Sequence, residues 1–309
     1  MARIPPAVAT IRQAVRRVLP ADGLVLVACS GGADSLALAA AARFVGRSVG
    51  LVTVDHGLQD GSAARAADVA AWASGAGLSP VMVETVSVAG RPGGPEGAAR
   101  EARYEALNAA AERAGAVAVL LGHTRDDQAE TVLLALARGA GPRGLSGMPA
   151  RKGIFVRPLL DVARADTRKS CAALGLAPWE DPHNSDPAFA RSRVRGAALP
   201  ALVEALGPAV VANLARSAEL IAADNEELDR LAGAAASVDV SDLSAMSRAI
   251  RRRVLHSWAL RLGAPGGALS HRHVAALDAL VTQWHGQGPV HLPGGIQVAR
   301  ERGVLVRVP

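Results

Sequence analysis

The stretch Leu24-Val25-Leu26-Val27-Ala28-Cys29-Ser30-Gly31-Gly32-Ala33-Asp34-Ser35-Leu36 passes from an unbroken apolar run through two glycines into a helix-forming pattern. It reads as strand, anion-binding loop and helix. Leu24 to Ala28 has the continuous β-prone apolarity of a strand buried on both faces of a parallel sheet. Gly31 and Gly32 free the backbone for conformations that a Cβ forbids and for close approach of a ligand. Ser30 and Ser35 add hydroxyls, and the amides that open the helix have no intrahelical acceptor, so the loop suits an anion such as pyrophosphate. Its spacing is neither that of a Walker loop nor GxGxxG. Asp34 stands where a Walker loop has lysine, and a carboxylate beside phosphate is tolerated chiefly when a divalent cation lies between them.

Outward from this stretch the chain alternates strand and helix. An amphipathic helix over 3–19, with apolar Ile4, Val8, Ile11, Val15 and Val18, precedes the first strand. After the loop, a helix to Val45 leads to a second buried strand, Val49 to Val54, which ends in Asp55-His56-Gly57-Leu58. Helix 62–76, strand 80–85, helix 97–114 and strand 116–121 continue the pattern, with the Gly/Pro-rich Val88–Gly97 read as a surface loop. The fold class is therefore α/β, a doubly wound, mostly parallel, Rossmann-like sheet. Its ligand is expected at the carboxyl ends of the strands.

Pro200 is read as the exit from this first domain, 1–200. The remainder, 201–309, is read as a smaller, mainly helical region, with helices over 208–236, 243–262 and 270–284. It ends in short strands around Gly294-Gly295.

With 309 residues, half of them hydrophobic, the chain can build two cores. No run approaches the roughly 18–20 apolar residues of a membrane span. Cys29 and Cys171 form no disulfide or zinc framework, and Met1 to Pro6 has no apolar signal core, so a cytoplasmic location without membrane contact is expected. Residues 138–169 hold eight basic residues against Asp161 and Asp166, a local excess equal to the whole formal net charge of +6. A basic stripe beside a nucleotide site favours a polyanionic second substrate such as RNA. Aromatic residues make up 3% of the chain, which argues against binding through stacking platforms.

Strand 116–121 delivers a second polar cluster, Gly122-His123-Thr124-Arg125-Asp126-Asp127-Gln128-Ala129-Glu130-Thr131. If Asp126 begins a helix, Asp127 and Glu130 share a face and Asp126 lies near the positive end of the dipole. Three carboxylates and an imidazole can hold a cation, bind an amine or accept a proton. Helix capping alone accounts for Asp126 but not for the whole cluster.

The loop Ser30 to Ser35 resembles the signature loop of the N-type ATP pyrophosphatases, of adenine-nucleotide α-hydrolase-like fold. The cluster from Gly122 to Thr131, followed by Arg138 to Met148, is similar to the bacterial tRNA(Ile)-lysidine synthetases. So are Asp55 to Leu58, Arg100-Glu101-Ala102-Arg103-Tyr104, Arg157-Pro158-Leu159-Leu160 and Trp179 to Asp186. One departure is Ser192, where the family pattern after Arg191 usually has Asn. The length fits the shorter form, without the additional C-terminal module of larger members.

The resemblance implies a ligase forming a carbon–nitrogen bond. The C2 oxygen of the wobble cytidine of an isoleucine tRNA with CAU anticodon attacks the α-phosphate of ATP, pyrophosphate leaves, and the ε-amine of free lysine then displaces AMP. It implies ATP contacts at Ser30, Gly31, Gly32, Ala33, Asp34, Ser35, Asp55, His56 and Gly57, with Mg²⁺ held by Asp34 and Asp127. His123 is the natural base and Arg103 the phosphate or adenylate contact, so Asp34, His123, Asp127 and Arg103 form the catalytic set. Glu130 and Asp126 are assigned to lysine, and Arg138, Arg143, Arg191, Arg193 and Arg195 to tRNA. Discrimination among tRNAs is expected from the accessory region, including Arg251 to Arg253, with a solvated helix face as the alternative. A homodimer is left open. The amine step is demanding, because a lysine amine of pKa near 10.4 is scarce as free base at pH 7 by about 3.4 units, or roughly 4.6 kcal/mol.

Two other readings stay open. A tRNA thiolase of the same ATP-pyrophosphatase group would need reactive cysteines or a cluster-binding set, and the two cysteines form no CxxC. A non-catalytic ATP-binding regulatory module would need the loop but not the second cluster.

Overall fold

The computed structural model describes residues 4–57, 61–87, 94–182, 186–235 and 237–308. Of the segments singled out above, Met1 to Arg3, Leu58, residues 88–93 and His183 to Ser185 lie outside the described residues.

The first unit, Met1–Leu220, is built on a six-stranded sheet. Helix α1 (Pro6–Arg16) precedes β1 (Leu24–Ala28), α2 (Ala33–Val45), β2 (Val49–Asp55), α3 (Ser62–Gly75), β3 (Val81–Thr85), α4 (Gly94–Ala114), β4 (Ala116–Leu121) and α5 (Arg125–Ala137). Residues 94–97, expected in a surface loop, thus open α4. The short α6 (Pro142–Leu145) leads to a hairpin of β5 (Arg151–Lys152) and β6 (Phe155–Val156), then α7 (Arg164–Ala173). After α8 (Ala190–Arg193) and a π-helical segment over Val194–Ala198 come α9 (Leu199–Leu206) and the start of α10 (Val210–Ala234). Pro200 stands directly after the π-helical turn, inside a continuous helical run from Ala190 to Leu206.

The strand order is β3-β2-β1-β4-β6-β5, parallel except for the antiparallel edge strand β5. Alternation along the strands explains why the sequence is apolar at every position. Val25 and Val27 of β1, Leu51 of β2 and Ala118 and Leu120 of β4 pack with α1, α2 and α7. Leu26, Ala28, Val52, Val119 and Leu121 face the other way, onto Leu107, Ala110 and Ala111 of α4. Both faces are covered, as a doubly wound parallel sheet requires.

The second unit, Ile221–Pro309, holds the rest of α10, then α11 (Val240–Ala245), α12 (Arg248–Arg261) and α13 (His271–Thr282). Strands β7 (Val290–Leu292), β8 (Ile296–Glu301) and β9 (Val304–Val308) form an antiparallel sheet. The expected continuous helix over 243–262 is two helices, broken at the extended Met246 and Ser247. Leu243, Leu255, Leu277, Leu280 and Leu305 are fully buried in one core. Arg251 is buried there in an ion pair with Asp278 (2.6 Å), Arg252 pairs with the same carboxylate (2.9 Å), and Arg253 binds Asp229 and Asn225. The arginine triplet is therefore neither a solvated face nor a free RNA grip.

Candidate active site

The sheet reverses its winding between β1 and β4, since β1 leads outward to β2 and β3 while β4 lies on the other side of β1. Such a switch point leaves a crevice at the carboxyl ends, into which both polar clusters project. Gly31 adopts φ +83° and Ser35 Oγ–H donates to the Gly32 carbonyl (2.9 Å), while the Ser30 amide donates to Ser35 Oγ (3.2 Å). Gly32 caps α2 without a side-chain acceptor, so the first amides of α2 are left for a ligand. The Trp179 amide donates to the Gly31 carbonyl (3.0 Å) and ties the loop to the segment after α7.

A cavity of about 360 Å³ opens beside this loop, lined by Ser30, Gly32, Asp55, His56, Arg103 and Trp179 among others. Asp55 Oδ1 accepts the Gly57 amide (2.9 Å), and a bond from the Ser62 hydroxyl, followed by this one, holds its carboxyl below the usual range. Arg103 faces the cavity with no carboxylate partner among the described residues, and burial lowers its pKa. His56 is pushed down by burial and by Arg103.

Asp34 occupies the first turn of α2. Burial pushes its carboxyl up to about 6, with Asp127 adding to the effect; the Thr167 hydroxyl bond, Arg164 and Arg195 oppose it. A carboxylate so poorly compensated in the apo protein fits a divalent cation. Among the described residues no group of three or more His, Cys, Asp or Glu could hold a metal alone. Asp34 and Asp127 are oxygen donors of the kind through which Mg²⁺ is bound, one or two at a time, together with substrate phosphates.

In the second cluster Asp126 and Asp127 lie in the first turn of α5, as the sequence reading had it, with Asp127 and Glu130 three apart and both buried. Thr124, not Asp126, caps α5: its amide and hydroxyl both donate to Asp127 Oδ2 (2.8 Å each) in a capping box. Asp126 Oδ2 accepts the Arg164 amide at the start of α7 (2.8 Å). Glu130, with no exposed surface, is enclosed by Arg195 (2.8 Å), Arg164 (3.0 Å) and Arg191 (3.3 Å). Arg164 also reaches Asp127 (2.9 Å) and Asp34 (3.7 Å), joining both clusters. Burial works to raise the Asp127 pKa, but Arg164 and the Thr124 amide outweigh it and hold it low. His123 is pushed down to about 3, by burial first and then by Arg103, Arg157 and Arg100 against the pull of Asp127. Its Nδ1 is buried with no hydrogen-bond partner among the described residues.

The expected RNA-binding arginines fall into two groups. Arg138, Arg143 and Arg193 are exposed, whereas Arg191 and Arg195 turn inward onto Glu130. Arg157 and Arg164 of the basic stripe are likewise drawn inward, and Arg168 pairs with Glu180 (2.9 Å). Thr167 has no motif to announce it, and only the packing of α7 on α2 brings it to Asp34.

These features define an ATP-using domain of the PP-loop class, and the chain matches the PP-loop domain family over residues 7–202. A second match, to the TilS substrate binding domain, covers residues 239–306. The chain is 62% identical to a tRNA(Ile)-lysidine synthase of Salinispora tropica, across 100% of this chain and 98% of that protein. It is 52% identical to the enzyme of that name from Thermobifida fusca, across 98% of each. Among solved structures, a U34-tRNA thiolase of Methanococcus maripaludis shares the fold at 18% identity and a TM-score of 0.56, over 70% of this chain and 80% of that one. The chain belongs to the tRNA(Ile)-lysidine synthase family.

Proposed function

We propose that the chain ligates free lysine to C2 of the wobble cytidine of an isoleucine tRNA with a CAU anticodon, through an adenylated tRNA intermediate. The observation that carries this reading is the nucleotide-sized cavity joined to an arginine–carboxylate cluster, in a chain similar along its whole length to lysidine synthases. ATP lies with its phosphates on the amides of Ala33 to Ser35 and with Ser30, Gly31 and Gly32 around them. Asp55, His56 and Gly57 border the nucleoside. Asp34, with Asp127 close by, would hold Mg²⁺, which would supply charge neutralisation on the phosphates. Arg103 contacts the α-phosphate, where negative charge accumulates as pyrophosphate leaves.

Lysine binds at Glu130 and Asp126. Both are engaged in the apo protein, Glu130 by three guanidiniums and Asp126 by the α7 amide, so the ammonium reaches Glu130 by exchanging with a guanidinium. The ammonium has to shed one proton before attack, and His123 is the candidate acceptor. Burial pushes its pKa down to about 3, far below that of an ammonium, so it takes the proton only once bound anions offset Arg103, Arg157 and Arg100. Arg138, Arg143 and Arg193, with Arg191 and Arg195 once released from Glu130, grip the tRNA backbone. Residues 1–200 carry the chemistry and 201–309 the accessory tRNA contacts, in the cytoplasm. A homodimer is a further expectation that sedimentation tests.

A thiolase reading has less support. Both cysteines are buried, and burial raises both thiol pKa values, the opposite of a reactive pair. Incubation with Mg-ATP, radiolabelled lysine and unmodified transcripts tests the proposal: label enters the isoleucine transcript and not the methionine one, with pyrophosphate released. Pyrophosphate without label would overturn the choice of nucleophile, and neither product from folded protein would overturn the reaction.

A further inference from the structure

We infer that Arg100, Tyr104 and Arg157 form a phosphodiester subsite that holds the RNA strand next to the reacting base. The inference rests on the proposed reaction and adds to it a place for the polyanion.

On α4, Arg100, Arg103, Tyr104 and Leu107 follow the spacing that brings side chains onto one face. Arg103 and Leu107 line the nucleotide cavity; Tyr104 stands beside them in the same turn, and Arg100 one turn before. Behind them stands Arg157, only 5% exposed. Its Nη1 donates to the Pro149 carbonyl (2.8 Å), its Nη2 donates to Tyr104 Oη (3.1 Å), and its Nε is buried with no partner among the described residues. Arg100 Nη2 donates to the same phenolic oxygen (3.4 Å), with its guanidinium 5.0 Å from the Tyr104 ring centroid. The ring is fixed edge-on by Phe155, centroids 4.9 Å apart.

This arrangement makes a directed donor. A phenol has one proton to give, and with two guanidiniums donating to its oxygen the Tyr104 hydroxyl proton has to point away from both. None of Arg100, Arg103 and Arg157 meets a carboxylate among the described residues, and all three guanidiniums bear on His123 against the pull of Asp127. A buried cation left unpaired is costly, and an arriving anion removes that cost. The nucleotide phosphates already have the loop amides. The exposed Arg100 lies open to an anion carried on a strand from solvent, which favours a backbone phosphate over an enclosed amino-acid carboxylate.

Tyr104→Phe keeps the ring packing and removes the donor, and Arg100→Gln removes an exposed charge. Each variant in the full chain should weaken binding of the isoleucine transcript by about three- to tenfold, with KM for ATP and for lysine unchanged. Arg100→Gln should also lower the slope of log K against log salt by about 0.7, one single-strand phosphate contact. Unchanged RNA affinity with a raised KM for lysine would assign the subsite to the amino-acid carboxylate and overturn the inference. A raised KM for ATP alone would overturn it in favour of the nucleotide. Lysine transfer by the unaltered protein in the same assay separates either result from failure of the proposed reaction itself.

Discussion

The Cβ that Gly122 lacks would stand 3.1 Å from the carbonyl carbon of Asp34 and 3.1 Å from the amide nitrogen of Ser35. The end of β4 therefore touches the first turn of α2, and the two polar clusters meet because one residue has no side chain. The obstructing atoms are backbone, which cannot rotate aside.

Gly122→Ala should push the α2 turn from its place, with an overpacking cost of about 1–3 kcal/mol. A thermal melt reads that cost, and steady-state kinetics should register a larger loss in kcat than in KM for lysine. Full activity would show that the loop tolerates displacement of Asp34.

Asp34 makes stability depend on pH in a defined direction. Its folded-state pKa, raised to about 6 from 3.8, favours the protonated form, so its contribution is fully present below pH 3.8 and is lost as pH rises through 6. Asp34→Asn, which mimics the neutral acid, should gain on the unaltered protein between pH 5 and 7 by something on the order of 2 kcal/mol in urea titrations without Mg²⁺. Parallel curves would mean that Asp34 ionises freely. Mg-ATP should likewise bind more weakly as pH falls below 6.

Glu130→Gln leaves three guanidiniums around a neutral amide. Removing one partner from a buried ion cluster costs about 3–5 kcal/mol, so a lowered melting temperature is expected together with a raised KM for lysine. A normal melt and unchanged lysine kinetics would remove Glu130 from both roles.

Asp278→Asn tests the arginine triplet of the second unit. With Arg251 and Asp278 only 10% and 8% exposed at their side chains, loss of the pair should destabilise that unit by about 3–5 kcal/mol. At a temperature where the variant stays folded, the salt slope for tRNA should not change. A steeper slope would mean that Arg251 or Arg252, released from Asp278, reaches RNA.

Much of the first unit was legible because the signals were local. The strand–loop–helix order from Leu24, the apolar strands and the position of the two clusters at strand ends all follow from runs of adjacent residues. The two-residue strands β5 and β6 were missed, since Arg151-Lys152 reads as charge and Phe155-Val156 is too short for a pattern. The break at Met246 and Ser247 was missed because neither residue is a strong helix breaker. Among the proposed site residues, Asp34, Arg103, His123 and Asp127 are singled out by motif. The contacts that set their chemistry depend on long-range packing: Thr167 reaches Asp34 from 133 positions away and Arg195 reaches Glu130 from 65. Arginine composition could not distinguish Arg191, facing a carboxylate, from Arg138, facing solvent.

The central claim is that lysine becomes bonded to the wobble cytidine. The most direct measurement is mass spectrometry of that nucleoside after the isoleucine transcript has been incubated with the protein, Mg-ATP and lysine and then digested. The account predicts a cytidine heavier by lysine less one water, dependent on ATP and absent from the methionine transcript. An unmodified cytidine, or one in which sulfur has replaced oxygen, would contradict it.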